Sequence, residues 1–217
     1  MIIRPKLNAE KFSPMDQIAE QKLLRLFCAI EMPPDLRARA AAHVARLRAA
    51  VEPAPLKVGW EREEKLHVTL KFFGDVSHAR LDALTRAVAR TAARSHAFAA
   101  QLGGCGVFPT PSRPHVLWLG IADEAGALAT LQRNLEDECA AEKFARDTRT
   151  FHPHVTVARV RAINSAARQL ARRHLEAQFE PVKFRINELI LMRSELGARG
   201  STYPIISRHE LEKGDGS

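Results

Sequence analysis

The chain has 217 residues, 46% hydrophobic and 27% charged, with 33 Lys+Arg against 25 Asp+Glu and a formal net charge of +8. That length and balance suit an ordinary globular protein, one large domain or two small lobes around a real core. No apolar run approaches the roughly 18 residues of a membrane span. Cys28, Cys105 and Cys139 form no CxxC pair, which excludes a zinc ribbon or a thioredoxin-like motif and points to reduced thiols in the cytoplasm. The positive excess favours polyanionic partners and says nothing of fold. Arginine dominates it, and arginine suits bidentate phosphate contacts better than lysine.

Residues 1–22 start apolar but carry neither the hydrophobic region nor the cleavage site of a signal peptide. They read as an extension, with Met15 as a second candidate start. LRLFCAIE at 24–31 reads as a buried strand, broken by Met32-Pro33-Pro34-Asp35. A helix follows, with Leu36, Ala40, Val44, Leu47 and Val51 on its inward stripe and Arg37, Arg39, Arg46 and Arg48 mostly on a solvated face. Pro53 and Pro55 end it. Strands are expected at 56–60 and 66–73, then a turn at Gly74-Asp75 and a helix over 78–95 capped by Ser77. Strand character returns over 97–108, where GGCG lacks any phosphate-loop spacing and reads as a bulge or turn. A strand at 114–121, a helix over 123–142, a strand at 151–160 and a helix from the Asn164 cap to about 177 come next. Strands at 179–192 and 202–209 close the chain. The order fits an α+β fold of antiparallel sheets backed by helices. Similar strand-plus-helix units before and after residue 110 suggest a duplicated, two-lobed domain over 23–210, with 211–217 as a flexible tail.

HVTL at 67–70 and HVTV at 154–157 are the same His-x-Thr pattern used twice. In a strand, alternate side chains share a face. His67 and Thr69 therefore point one way while Val68 and Leu70 point inward, and His154 and Thr156 stand in the same relation to Val155 and Val157. Two such strands related by a pseudo-twofold bring two imidazoles and two hydroxyls together. That set suits a phosphate: one neutral histidine takes a proton from water, one protonated histidine delivers a proton to a leaving oxygen, and no metal is required. Three other readings stand beside it. A single HxT is usually an ordinary strand feature. His152, His154 and His67 could ligate zinc, although no carboxylate or thiolate lies nearby in sequence. A serine or cysteine nucleophile lacks its GxSxG elbow.

With RLFCAIEMP at 25–33, LHVTLKFFGDV at 66–76, RPHVLWLG at 113–120, FHPHVTVARV at 151–160 and RSELGARGSTYP at 193–204, the chain resembles the two-histidine phosphoesterases over roughly residues 24–208. Within them it is most similar to the RNA 2′,3′-cyclic phosphodiesterases, also called 2′-5′ RNA ligase or LigT-like proteins. The resemblance implies two similar α+β lobes with the active site in the cleft between their sheets. It also implies hydrolysis of RNA 2′,3′-cyclic phosphate ends, or of small cyclic nucleotides, to 2′-phosphates without a cofactor. His67 would be the general acid, His154 the base, and Thr69, Thr156 and Arg159 would hold the phosphate. Strand alternation, however, puts Arg159 out of phase with His154, so it reaches the phosphate only if the strand twists, bulges or ends there. Arg113 reads as an RNA guide or a loop anchor, His152 as a rim residue, His115 as structural, and Tyr203 and Phe151 as core aromatics rather than base-stacking ones. A monomer is expected. Ligation of a cyclic end to a 5′-hydroxyl and non-catalytic RNA or nucleotide binding are the alternative functions.

Overall fold

The computed structural model describes residues 23–51, 56–123, 125–197 and 200–213. The expectations for residues 1–22, for Pro53 and Pro55, and for 214–217 lie outside the described residues. β1 (Leu23–Glu31) leads into α1 (Pro34–Ala49). Proline at the first helical position, Asp35 in the first turn, and Arg46 and Arg48 in the last turn suit the helix ends and its dipole. Its buried stripe is Leu36, Ala40, His43, Val44 and Leu47. β2 (Val58–Trp60) and β3 (His67–Ser77) follow. The turn expected at Gly74-Asp75 does not form. β3 runs straight through it, pairing Gly74 with Leu26 and Phe72 with Phe27, so that Gly74, at φ 69°, marks a bulge. Ser77 makes no side-chain capping bond either; a 3₁₀ turn, His78–Arg80, separates it from α2 (Leu81–Ala93).

β4 (Phe98–Thr110) and β5 (Arg113–Ala122) form a long hairpin. The expected GGCG irregularity is a bulge between Gly103 and Cys105, with Gly104 at φ 72°. α3 (Ala127–Ala141) precedes β6 (His154–Val160), and α4 (Ser165–Glu176) follows. The Asn164 side chain accepts from the Ala167 N–H at 2.9 Å, as an N-cap should. The single strand expected over 179–192 is two strands that part at Asn187. β7 (Val182–Ile186) pairs with β4 and β8 (Glu188–Arg193) with β1, at opposite ends of the sheet. A hairpin of β9 (Glu195–Gly197) and β10 (Gly200–Thr202) stands apart, and β11 (Ile205–Glu210) returns beside β8. The ordered fold extends past 210: Leu211 is buried and its N–H bonds the Asn187 carbonyl at 2.8 Å, which corrects the tail boundary for 211–213.

Among the described residues the strands run β11-β8-β1-β3-β6-β5-β4-β7, with β2 also on β6. All named pairs are antiparallel. The α+β fold with two helix-backed antiparallel halves is therefore as expected. The halves meet along β3 and β6, which share the register pair Val68↔Val155 before β6 turns to pair with β2. α2 and α3 back the β1–β3–β8–β11 half, and α1 and α4 back the β4–β5–β6 half. Each half thus borrows a helix from the other part of the chain, so a boundary near residue 110 does not separate the lobes. Leu26, Val68, Leu117, Leu119, Val155, Leu135 and Leu170 join one core behind the sheet. Truncating one such leucine to alanine costs about 2–5 kcal/mol. The opposite, concave face is left to polar residues and a small cluster of Phe27, Ala29, Ile190, Met192 and Tyr203.

Candidate active site

The two His-x-Thr segments are structural copies. In β3, His67 and Thr69 are half-buried, Val68 is fully buried, Leu70 and Lys71 are both buried, and Phe72 is exposed. In β6 the same sequence of burial runs from His154 to Arg159, with Val157 and Ala158 as the consecutive buried pair. Two inward residues in a row need a bulge, and each strand has one. The neighbouring strand skips Leu70 between its pairs with Thr69 and Lys71, and skips Val157 between its pairs with Thr156 and Ala158. The bulge returns the fifth residue after each histidine to the concave face. Arg159 therefore shares a face with His154 and Thr156, and Phe72 is its counterpart beside His67 and Thr69.

His67, Thr69, His154, Thr156 and Arg159 all line one cleft of about 450 Å³ on that face, a size suited to a small ligand. The imidazoles are held alike. His67 Nδ1 donates to the Lys65 carbonyl at 2.7 Å and His154 Nδ1 to the His152 carbonyl at 2.6 Å. Each bond fixes the tautomer that carries its proton on Nδ1 and keeps a lone pair on Nε2. His67 Nε2 lies 3.1 Å from the Thr69 hydroxyl. Aromatic rings fix the ring planes. Phe27 and Tyr203 sit 5.0 and 5.3 Å from His67, and Phe108 sits edge-on 5.1 Å from His154. Burial lowers the pKa of both histidines; the backbone carbonyls raise it in part, and the Arg159 charge lowers both further. Arg159 in turn lies 3.4 Å from Glu61. Arg25 and Lys65 add positive charge to the lining, so the cleft favours an anion.

Tyr203, expected in the core, lies in this cleft against His67. Phe151 does pack on the core and also lines a side cavity. His152 belongs to that side cavity and orients His154 through its carbonyl. His115 is exposed on β5, and Arg113 closes the β4–β5 hairpin opposite Thr110; neither lines the cleft. Phe72, Lys65 and Arg25 are lining residues that the sequence did not single out. Phe72 was legible in principle, as the residue in register with Arg159 when the two motifs are superposed. Phe72 is 54% exposed and also borders cavities of about 300 and 190 Å³ that share Arg149 and Asp147.

The family model of the 2′-5′ RNA ligase superfamily matches residues 32–198. A protein of Methanothermobacter thermautotrophicus named RNA 2′,3′-cyclic phosphodiesterase is 35% identical over 181 residues, covering 83% of this chain and 95% of its own. Escherichia coli LigT, in its complex with 3′-AMP, superposes with a TM-score of 0.67 at 26% identity, over 88% of this chain and 99% of that one. A protein of Thermus thermophilus shares the fold with a TM-score of 0.70 at 24% identity, over 88% and 99%. With the duplicated His-x-Thr strands, their matched bulges and the shared cleft, these likenesses place the chain in the 2′-5′ RNA ligase superfamily.

Proposed function

We propose that the chain hydrolyses 2′,3′-cyclic phosphate ends of RNA to 2′-phosphates by acid–base catalysis, with no cofactor. The observation that carries this reading is the pair of equivalently held imidazoles on one anion-favouring cleft, each with Nδ1 tied to a carbonyl so that Nε2 is the nitrogen that exchanges protons. The name of the Methanothermobacter relative supports the same substrate class. In the proposed step, His154 Nε2 takes a proton from water as its oxygen attacks phosphorus. The bond from phosphorus to the 3′ oxygen breaks, and protonated His67 gives that oxygen its Nε2 proton. The product is a 2′-phosphate with a free 3′-hydroxyl. Afterwards His154 carries the extra proton and His67 is neutral, so exchange with water resets the pair.

Thr69, Thr156 and Arg159 hold the non-bridging oxygens, where fixed donors stabilise the charge that grows during attack. Both free histidines favour the neutral form, and the phosphate's negative charge restores the proton that His67 needs. Acid and base groups each contribute about 10²–10⁴-fold. Exposed Phe72, which lines the cleft at the position equivalent to Arg159, offers a stacking face for the terminal base, and the cavities beyond it offer a path for the upstream strand. Both motifs come from one chain, so a monomer contains the whole site, and its free thiols fit the cytoplasm.

The test is an oligoribonucleotide with a 2′,3′-cyclic phosphate end, incubated with EDTA and followed by phosphorus NMR. A 2′-phosphate product supports the proposal. A 3′-phosphate product, or turnover that stops with chelator, contradicts it. Adding a 5′-hydroxyl oligonucleotide to the same reaction reveals ligation as a 2′-5′-linked product.

A further inference from the structure

Where α1 and α4 pack on the β4–β5–β6 half of the sheet, three elements send metal-ligating side chains to one point. His43 comes from the inward stripe of α1, His174 from the inward face of α4 and Cys105 from the bulge of β4. Their ligand atoms all lie within 4.8 Å of one another. His43 Nε2 is 3.1 Å from His174 Nδ1, and His174 Nε2 donates to the Trp118 carbonyl at 3.0 Å. The two histidines are 1% and 0% exposed, on helix faces whose other buried residues are leucine, alanine and valine. Phe179 stands edge-on to His43 at 5.6 Å and closes the apolar wall.

We propose that His43, Cys105 and His174 form a three-coordinate site for a soft monovalent metal ion, with Cu(I) as its representative. The ligand types fit, because a thiolate selects soft cations and imidazole also suits copper. Charge fits as well. One thiolate, two neutral imidazoles and one Cu(I) make a neutral complex, the form that a dry core tolerates best. Zinc would leave a buried positive charge and calls for a fourth ligand, which this group of three does not supply. The bond from His174 Nε2–H to the Trp118 carbonyl is the outer contact that orients a ligating histidine and leaves its other nitrogen for the metal. On binding, Cys105 releases its thiol proton to solvent, and the His43 proton moves from Nε2 to Nδ1. The contact from Cys105 Sγ to the Ala177 carbonyl at 3.1 Å is then given up.

The site is separate from the cleft but touches its frame, because Trp118 lies 6.1 Å from His154. An occupant would therefore brace α1, α4 and β4 together, with β5 joined through the Trp118 carbonyl.

The experiment titrates the reduced full-length protein with Cu(I) against a chromogenic Cu(I) chelator. One equivalent should be withheld from the chelator, and Cys105→Ala should weaken that binding by about 100-fold or more. His154→Ala, which alters the cleft, and Cys139→Ala, which removes a different buried thiol, should both retain it. A wild-type protein that withholds no copper overturns the proposal, as does wild-type affinity in Cys105→Ala or its loss in His154→Ala. Alkylation needs no variant: in the wild type, Cu(I) should protect Cys105 from a maleimide, read by peptide mass, and equal labelling with and without copper overturns the site independently of how any variant folds.

Discussion

The Lys71–Glu136 pair offers a quantitative test of how the motif strand is anchored. The bulge at Leu70 that returns Phe72 to the cleft also turns Lys71 into the core, where its side chain is 1% exposed. Its ammonium donates to Glu136 at 2.6 Å and to the Ala145 carbonyl at 2.8 Å. Glu136 also accepts from the Asp147 N–H and from Gln132, each at 3.3 Å. Glu136→Leu leaves a buried ammonium with one carbonyl and should cost about 3–5 kcal/mol. Lys71→Met leaves a carboxylate that keeps two N–H donors, so about 2–3 kcal/mol is expected. The double variant removes both charges but also takes partners from the Ala145 carbonyl and the Asp147 N–H, so its loss should fall well short of the sum of the two singles. Urea unfolding of the four proteins measures the coupling. A Glu136→Leu loss below about 1 kcal/mol, or a double variant whose loss equals the sum of the singles, would refute the reasoning.

Three further outcomes follow from other parts of the structure. Both cleft histidines are held below their usual 6.5 by burial and by Arg159, so the kcat/KM bell should peak on the acid side of that value; Arg159→Gln should move the bell to higher pH and lower kcat/KM by about 10²–10³-fold, and an unmoved bell contradicts the assignment. A Cβ on Gly106 would sit 2.0 Å from the Trp118 ring, so Gly106→Ala should cost about 1–3 kcal/mol and shift tryptophan fluorescence; wild-type Tm and spectrum would show that the ring does not lie there. In the metal-free protein, burial lowers the His43 pKa to about 4. The unfolded chain binds that proton first as pH falls, so the stability is full above pH 6.5 and drops by about 3 kcal/mol on the way to 4; a His43→Gln variant with the same acid profile as the wild type would contradict this.

The elements with strong local signals were legible in the sequence. The stripe of Leu36, Ala40, Val44 and Leu47, the Asn164 cap and the alternation through both His-x-Thr segments depend on near neighbours, and each appears in the structure. Errors arose where pairing with distant strands decided the outcome. Gly74-Asp75 has turn chemistry, yet β1 pairs past it and makes it a bulge. Residues 179–192 have unbroken strand character, yet β4 and β1 claim its two parts at opposite ends of the sheet. Arg159 was out of phase on simple alternation because the Val157 bulge is a property of the β5 register, not of β6 alone. His43, Cys105 and His174 are distant in sequence and unremarkable one by one; only the packing of α1 and α4 on β4 brings them together.

The most direct test of the central claim is single-turnover cleavage of a cyclic-phosphate oligoribonucleotide by His67→Ala, His154→Ala and the double variant. If both imidazoles serve one phosphorus, each single variant should lose about 10²–10⁴-fold in rate, and the double should fall short of the product of the two losses. A wild-type rate in either single variant would contradict a shared acid–base site.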